Sequence, residues 1–314
     1  MNTWVISADF SRKGNSAETS PLFPSLMHHR DSNLIIFAHD KATAYGPNWA
    51  SLIIPSSINP MSPLARSFRK ILRMFRGKFA RRIISKSMPK ASGLMIPHNL
   101  RHFFYQKILS QLPENDFVFL VDSRDLIFQE SALKVSQRLS SESELHFFDE
   151  REVYFKNGKS QLIKDSEATL YWLSLVEFDE EDFEVPIREE WILNGGCFAG
   201  RVALMREYNN SVCTIIENSQ YRFDEILDQV ATILPAYSKT FRAKSNYHKN
   251  GEFVLNMCGV PKGDFEIKDG RCYFNNHLIP IVHQFDRFGT YDPSQGITLS
   301  RRPFKTSTAP NVQC

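Results

Sequence analysis

The sequence predicts an α/β protein whose sheet is covered by helices on both faces. Three observations lead there. Short apolar runs bounded by turn residues recur along the chain, helical periodicities alternate with them, and no pattern for a disulfide framework or a membrane span competes. The 314 residues are 42% hydrophobic and 12% aromatic, enough for a full core and too apolar for disorder. Five cysteines (Cys197, Cys213, Cys258, Cys272 and Cys314) are odd in number and lack CxxC spacing. That disfavours a disulfide framework and a zinc site, and suits a reducing compartment. With no signal pattern and no apolar run near 18 residues, the expected location is cytoplasmic.

The elements follow in order. TWVISA at 3–8 reads as a first strand and NLIIFA at 33–38 as a second, with SLIIP at 51–55 as a third apolar run. After a Pro-bearing break at 59–63, a helical period places Phe68, Ile71, Leu72, Phe75, Phe79 and Ile83 on one face. Arg66, Arg69, Arg73, Arg76 and Arg81 fall mostly on the other. LRHFFYQKILSQL at 100–112 is a second helix, stopped by Pro113. The strand VFLVD, a helix around 131–139 and a strand at 145–148 come next. WILNGGCFAG at 191–200 reads as an apolar run with a tight glycine turn, 223–234 as a helix, and 253–254 and 279–282 as strands. Residues 291–314 are polar and aperiodic, and read as a mobile tail behind one large domain at 1–290.

Charge is distributed unevenly beneath a net +3. From Lys41 to Pro113 there are 13 Lys and Arg and no acid, whereas Glu142 to Glu190 holds 15 acids and 5 bases. The basic helix from Arg66 to Lys86 reads either as a solvated face or as a surface for anions. An anionic membrane leaflet is favoured over nucleic acid, because no nucleic-acid motif accompanies the patch.

Four stretches could carry chemistry. In VFLVDSRDLIFQ an apolar strand ends on Asp122 and Asp125, a pair that suits either a capped turn or a divalent cation held against phosphate. Arg124 between them could pair with an aspartate or meet phosphate. In LNGGCFAG, Asn194 offers a donor and an acceptor, and Gly195 and Gly196 permit close approach or a positive φ. In FDEILDQ, Asp224 suits a helix N-cap and Glu225 its first turn, which leaves Asp228 and Gln229 without a structural explanation. In IVHQFDRF, His283 leaves an apolar strand much as Asp122 does.

In this order the four stretches resemble metal-dependent glycosyltransferases of the GT-A fold, of the bacterial polysaccharide type and, more distantly, procollagen-lysine glycosyltransferase domains. DSRD resembles that group's DxD or DxxD motif, LNGGCFAG its LNSGG segment with Gly195 in place of Ser, and Leu227-Asp228-Gln229 its Asp-Asp-Gln with the first Asp lost. The resemblance implies a Rossmann-like mixed sheet, with a basic helical insertion at about 64–90. It implies Mn²⁺ or Mg²⁺ held by Asp122, Asp125 and His283, and a nucleotide-sugar contacted by Arg101, Asp122, Arg124, Asp125, Gly195 and Gly196. Asp228, Gln229 and Asn194 would serve the sugar or the acceptor. The implied reaction moves a hexose, galactose or glucose, from a UDP-sugar to a glycan or lipid-linked glycan, with retention; the basic helix would place the protein peripherally on the inner membrane face. Two alternatives remain: a sugar-nucleotidyltransferase, and a basic membrane- or nucleic-acid-binding module without catalysis.

Overall fold

Apolar residues fill every position of the strand FVFLV, so both of its faces must be covered. The structure, a computed structural model, does this with helices on either side of a central sheet. It describes residues 1–9, 20–29, 31–38, 49–53, 60, 62–74, 94–140, 144–150, 162–260 and 263–299. Strands β1 (Thr3–Asp9), β2 (Asn33–Ala38), β3 (Trp49–Ile53) and β4 (Phe117–Val121) are parallel, in the spatial order β3-β2-β1-β4. The short β5 (Leu126–Phe128) leaves this sheet. Then β6 (Leu145–Asp149), β7 (Leu193–Arg201) and β8 (Ser245–His248) extend it to β3-β2-β1-β4-β7-β6-β8. β7 runs antiparallel to both neighbours, so the sheet is mixed.

The helices are α1 (Leu22–Met27), α2 (Pro63–Met74), α3 (Pro97–Leu109), α4 (Ala132–Leu139), α5 (Glu167–Leu173), α6 (Val202–Asn218) and α7 (Asp228–Tyr237), with the one-turn α8 (Lys239–Arg242). Alternation along β4 sorts its side chains between two layers. Val118 and Leu120 join Leu100, Tyr105 and Ile108 of α3, Met205 and Tyr208 of α6, and Ile233 of α7. Phe117, Phe119 and Val121 join Leu22 and Leu26 of α1 and Val135 and Leu139 of α4. Each such side chain fully buried is worth about 1.5–3 kcal/mol.

Beside the second layer, β9 (Val254–Asn256) and the β10-β11-β12 sheet (Phe265–Lys268, Arg271–Phe274, His277–Leu278) lead to β13 (Ile281–His283). β13 lies between β5 and β9. A separate apolar cluster that includes Ile127, Leu255, Phe265, Val282 and Phe285 holds this part together.

Four expectations are corrected. Residues 193–201 form one continuous strand with no turn, since pairing with both β4 and β6 satisfies their backbone. The helix expected from Phe223 begins only at Asp228, so Asp224 is not an N-cap. Asn99 holds the preceding turns instead, donating to the carbonyls of Arg222 and Glu225 and accepting from Leu227 N–H, all at 2.9 Å. In α2 the buried side holds Ala65, Phe68 and Leu72, whereas Ile71 is exposed; residues 75–93 lie outside the described residues. The start of the expected tail is a hairpin, β14 (Gly289–Asp292) with β15 (Gly296–Leu299), tied down by Ile297 N–H on the Gly270 carbonyl at 2.7 Å. Its single buried apolar residue, Ile297, is too sparse a signal to read as a strand. Residues 300–314 lie outside the described residues.

Candidate metal centre

Three buried strands end on polar side chains, and strand register brings the ends together. Val121 of β4 pairs with Cys197 of β7, and Asp122 N–H continues the ladder onto the Gly196 carbonyl at 2.8 Å. Asp122 therefore sits opposite Gly196. Leu126 of β5 pairs with His283 of β13, and Gln284 N–H donates to the Asp125 carbonyl at 2.7 Å, which draws Asp125 beside His283. His283 also pairs with Asn256 of β9.

The outcome is a group of three potential ligands, Asp122, Asp125 and His283, that could hold a metal ion. His283 Nε2 lies 3.6 Å from Asp122 Oδ2 and 3.5 Å from Asp125 Oδ1. Ligands about 2.1 Å from a shared ion and 90 to 120° apart are about 3.0 to 3.6 Å from one another, so the spacing fits. The imidazole is 3% exposed and its Nε2 has no hydrogen-bond partner. Nδ1 is 2.7 Å from Asn256 Oδ1, an acceptor, and 3.0 Å from Asn194 Nδ2, a donor; the neutral tautomer with its proton on Nδ1 satisfies the shorter contact and turns the Nε2 lone pair to the carboxylates.

The glycine between the ligands is required by space. Neither Gly195 nor Gly196 has a positive φ. A Cβ on Gly196 would lie 2.6 Å from Asp122 Oδ2 and 2.8 Å from His283 Nε2. At Gly195 it would make ordinary contact, 3.5 Å from Gln229 Cα. Only Gly196 keeps the space between the ligands open.

A polar frame surrounds the three. Arg101, from α3, is 5% exposed; its guanidinium pairs with Asp122 and donates to Asp228 Oδ2 at 2.8 Å and to the Gly195 carbonyl at 2.5 Å. Both terminal nitrogens are thus engaged within the protein. Burial opposes an ionised Asp122, but Arg101 and then His283 outweigh it and hold this carboxyl well below the usual range. For His283, burial opposes the charge and the two aspartates, Asp125 foremost, outweigh it, so in the metal-free protein its pKa is pushed up to about 10.

Asn194 lies beneath His283. Its Oδ1 accepts from Gly196 N–H and its Nδ2 donates to Asn256 Oδ1, each at 2.6 Å. Buried and engaged in this way, its Nδ2 also stands 3.0 Å from His283 Nδ1. Asp228 opens α7, with His98 Nδ1 3.8 Å away. Gln229 donates to Glu150 Oε2 at 2.8 Å, and Arg124 is exposed on the turn between the aspartates.

Sequence reasoning missed Asn256 and Glu150. Asn256 is fully buried and orients both His283 and Asn194. The Glu150 carboxylate accepts from Gln229 on one oxygen and from Gln284, at 3.0 Å, on the other. Both follow an apolar run, VLN and LHFFDE, the same signal that marked Asp122 and His283.

Comparison with protein families and with curated proteins finds no match to this chain.

Proposed function

We propose that the protein is a metal-dependent glycosyltransferase of the GT-A type, moving a hexose from a UDP-sugar to a hydroxyl of a glycan or lipid-linked glycan. The observation that carries this is the convergence of Asp122, Asp125 and the buried His283 Nε2 over a glycine that leaves room for an ion. Ligands sit beyond the carboxyl ends of strands in such sheets, which is where Asp122 lies. Two carboxylates and one imidazole suit Mn²⁺, and Mg²⁺ where it keeps much of its water.

Bound there, the cation would offset charge that develops on the diphosphate as the bond from the sugar's anomeric carbon breaks. Asp122, Asp125 and His283 would be its protein ligands. Arg101 fixes Asp122 and so sets the ligand geometry. Glu150, kept in place by two amide donors, would accept a further hydrogen bond from the incoming hydroxyl.

The test is a thermal-shift panel of UDP, GDP, CDP and dTDP, each with and without Mn²⁺, on the wild type and on Asp125→Ala. UDP with Mn²⁺ should raise Tm, by an amount equivalent to about 2.7 kcal/mol at a hundredfold excess over Kd. The shift should vanish without metal and in Asp125→Ala. A panel with no shift for any nucleotide would reject the reading.

A further inference from the structure

Helix α2 carries an outward face that the core does not use. Its inner side is fixed by Ala65 and Leu72, which are buried, by Phe68, edge-on to Phe223 at 5.9 Å, and by Arg69. The Arg69 guanidinium is turned inward and donates to three carbonyls, of Leu94 at 3.1 Å, Met95 at 3.2 Å and Pro60 at 2.7 Å. Arg69 is therefore a brace of the fold and not part of a docking surface. What remains outward is Leu64, 74% exposed, Ile71, 52% exposed, and the exposed Arg66, Ser67 and Lys70.

At about 100° per residue, Leu64 and Ile71 lie within about 20° of each other on one edge of the exposed face, Ser67 about 40–60° further round, and Lys70 and Arg66 on the other edge, about 100° and 160° from the apolar pair. Two large apolar side chains on one edge and two cations on the other, both in water, leave an arrangement that an interface between water and hydrocarbon would relieve. The apolar pair could enter the headgroup region while the cations stay with the lipid phosphates. The surrounding sequence strengthens the charge match, since no acid occurs from Lys41 to Pro113. Nucleic acid fits less well: a phosphate backbone gives Leu64 and Ile71 nothing to bury against, and the exposed face of α2 offers no aromatic ring for bases.

We infer that the outward face of α2, through Leu64, Arg66, Lys70 and Ile71, docks the protein on an anionic lipid surface. Among the described residues no helix is long and apolar enough to cross a membrane. The inference stands independently of the glycosyltransferase reading.

Co-sedimentation with vesicles tests it, using phosphatidylcholine alone and phosphatidylcholine mixed with phosphatidylglycerol at low and high salt. The wild type should sediment with the anionic vesicles only, and less at high salt. Arg66→Gln with Lys70→Gln should weaken partitioning about 25-fold, about fivefold for each cation. Leu64→Ser with Ile71→Ser should weaken it about tenfold. Both double variants should melt as the wild type does, because all four side chains face solvent, whereas Arg69→Ala should lower Tm. Absence of binding to anionic vesicles, or unchanged binding in either double variant, overturns the inference. So does a gel shift with RNA that is lost in the Arg66/Lys70 variant while vesicles are ignored.

Discussion

Gly196→Ala probes the centre most directly, because one methyl group enters the space between two ligands. The new Cβ would stand 2.6 Å from Asp122 Oδ2, 2.8 Å from His283 Nε2 and 2.9 Å from His283 Cε1. To reach the 3.4 Å of ordinary contact the carboxylate would retreat by about 0.8 Å and the ring by about 0.6 Å. Neither has slack. Asp122 is pinned by Arg101, and His283 sits in a strand with Nδ1 fixed by Asn256. Overpacking of this kind costs about 1–3 kcal/mol of folding stability. Spreading ligands that must lie within about 0.2 Å of their ideal distances should lower metal affinity by at least about tenfold. Urea denaturation reads the first quantity and Mn²⁺ titration of the folded variant the second. Gly195→Ala is the internal comparison, since its Cβ meets Gln229 Cα at 3.5 Å and nothing closer. It should be near neutral in both assays. Equal effects of the two substitutions, or wild-type Mn²⁺ affinity in Gly196→Ala, would show that these three side chains do not hold the ion.

Asn256→Ala removes the acceptor nearest His283 Nδ1 and should reduce Mn²⁺ affinity about 10- to 100-fold, measured by titration with an intact far-UV spectrum. Arg101→Met strands two carboxylates and should cost about 3–5 kcal/mol in denaturant unfolding, whereas a surface arginine would cost little. Because the folded pKa of His283 is raised from 6.5 to about 10, its charge contributes metal-free stability in full below pH 6.5, and this is lost as pH rises through 10. A bound cation needs the deprotonated ring, so apparent Mn²⁺ affinity should rise about tenfold per pH unit above neutrality, and His283→Gln should flatten that slope. Asp122 runs the other way: its pKa is lowered from 3.8, so its contribution is present above that value and disappears in acid. Glu150→Gln should leave the UDP and Mn²⁺ thermal shift unchanged while lowering transfer to acceptor by about 10²–10⁴-fold, measured with a UDP-hexose. A loss of the nucleotide shift would place Glu150 at the donor instead.

Local pattern carried most of the sheet. Apolar runs such as TWVISA, NLIIFA and FVFLV are strands because they bury both faces, and that demand is visible one residue at a time. The same reading marked Asp122, Asp125 and His283, since a polar residue closing a buried strand is a local event. It failed where pairing decides. LNGGCFAG looked like a turn because glycine has weak strand propensity, yet two neighbouring strands hold it extended. FDEILDQ looked helical from its first residue, yet Asn99, more than a hundred residues away, supplies the hydrogen bonds that keep its start irregular.

What the sequence determined by itself is therefore the class of fold, most of the elements and the chemical types at the centre. Tertiary structure alone decided which of those residues meet. His283 reaches Asp125 through the register of β13 on β5, and Asn256 through its register on β9. Arg69 and Arg101 turn inward to carbonyls and carboxylates that only the folded chain brings near. Register, burial and hydrogen-bond partners belong to pairs of distant segments, and a propensity written along one chain holds no information about pairs.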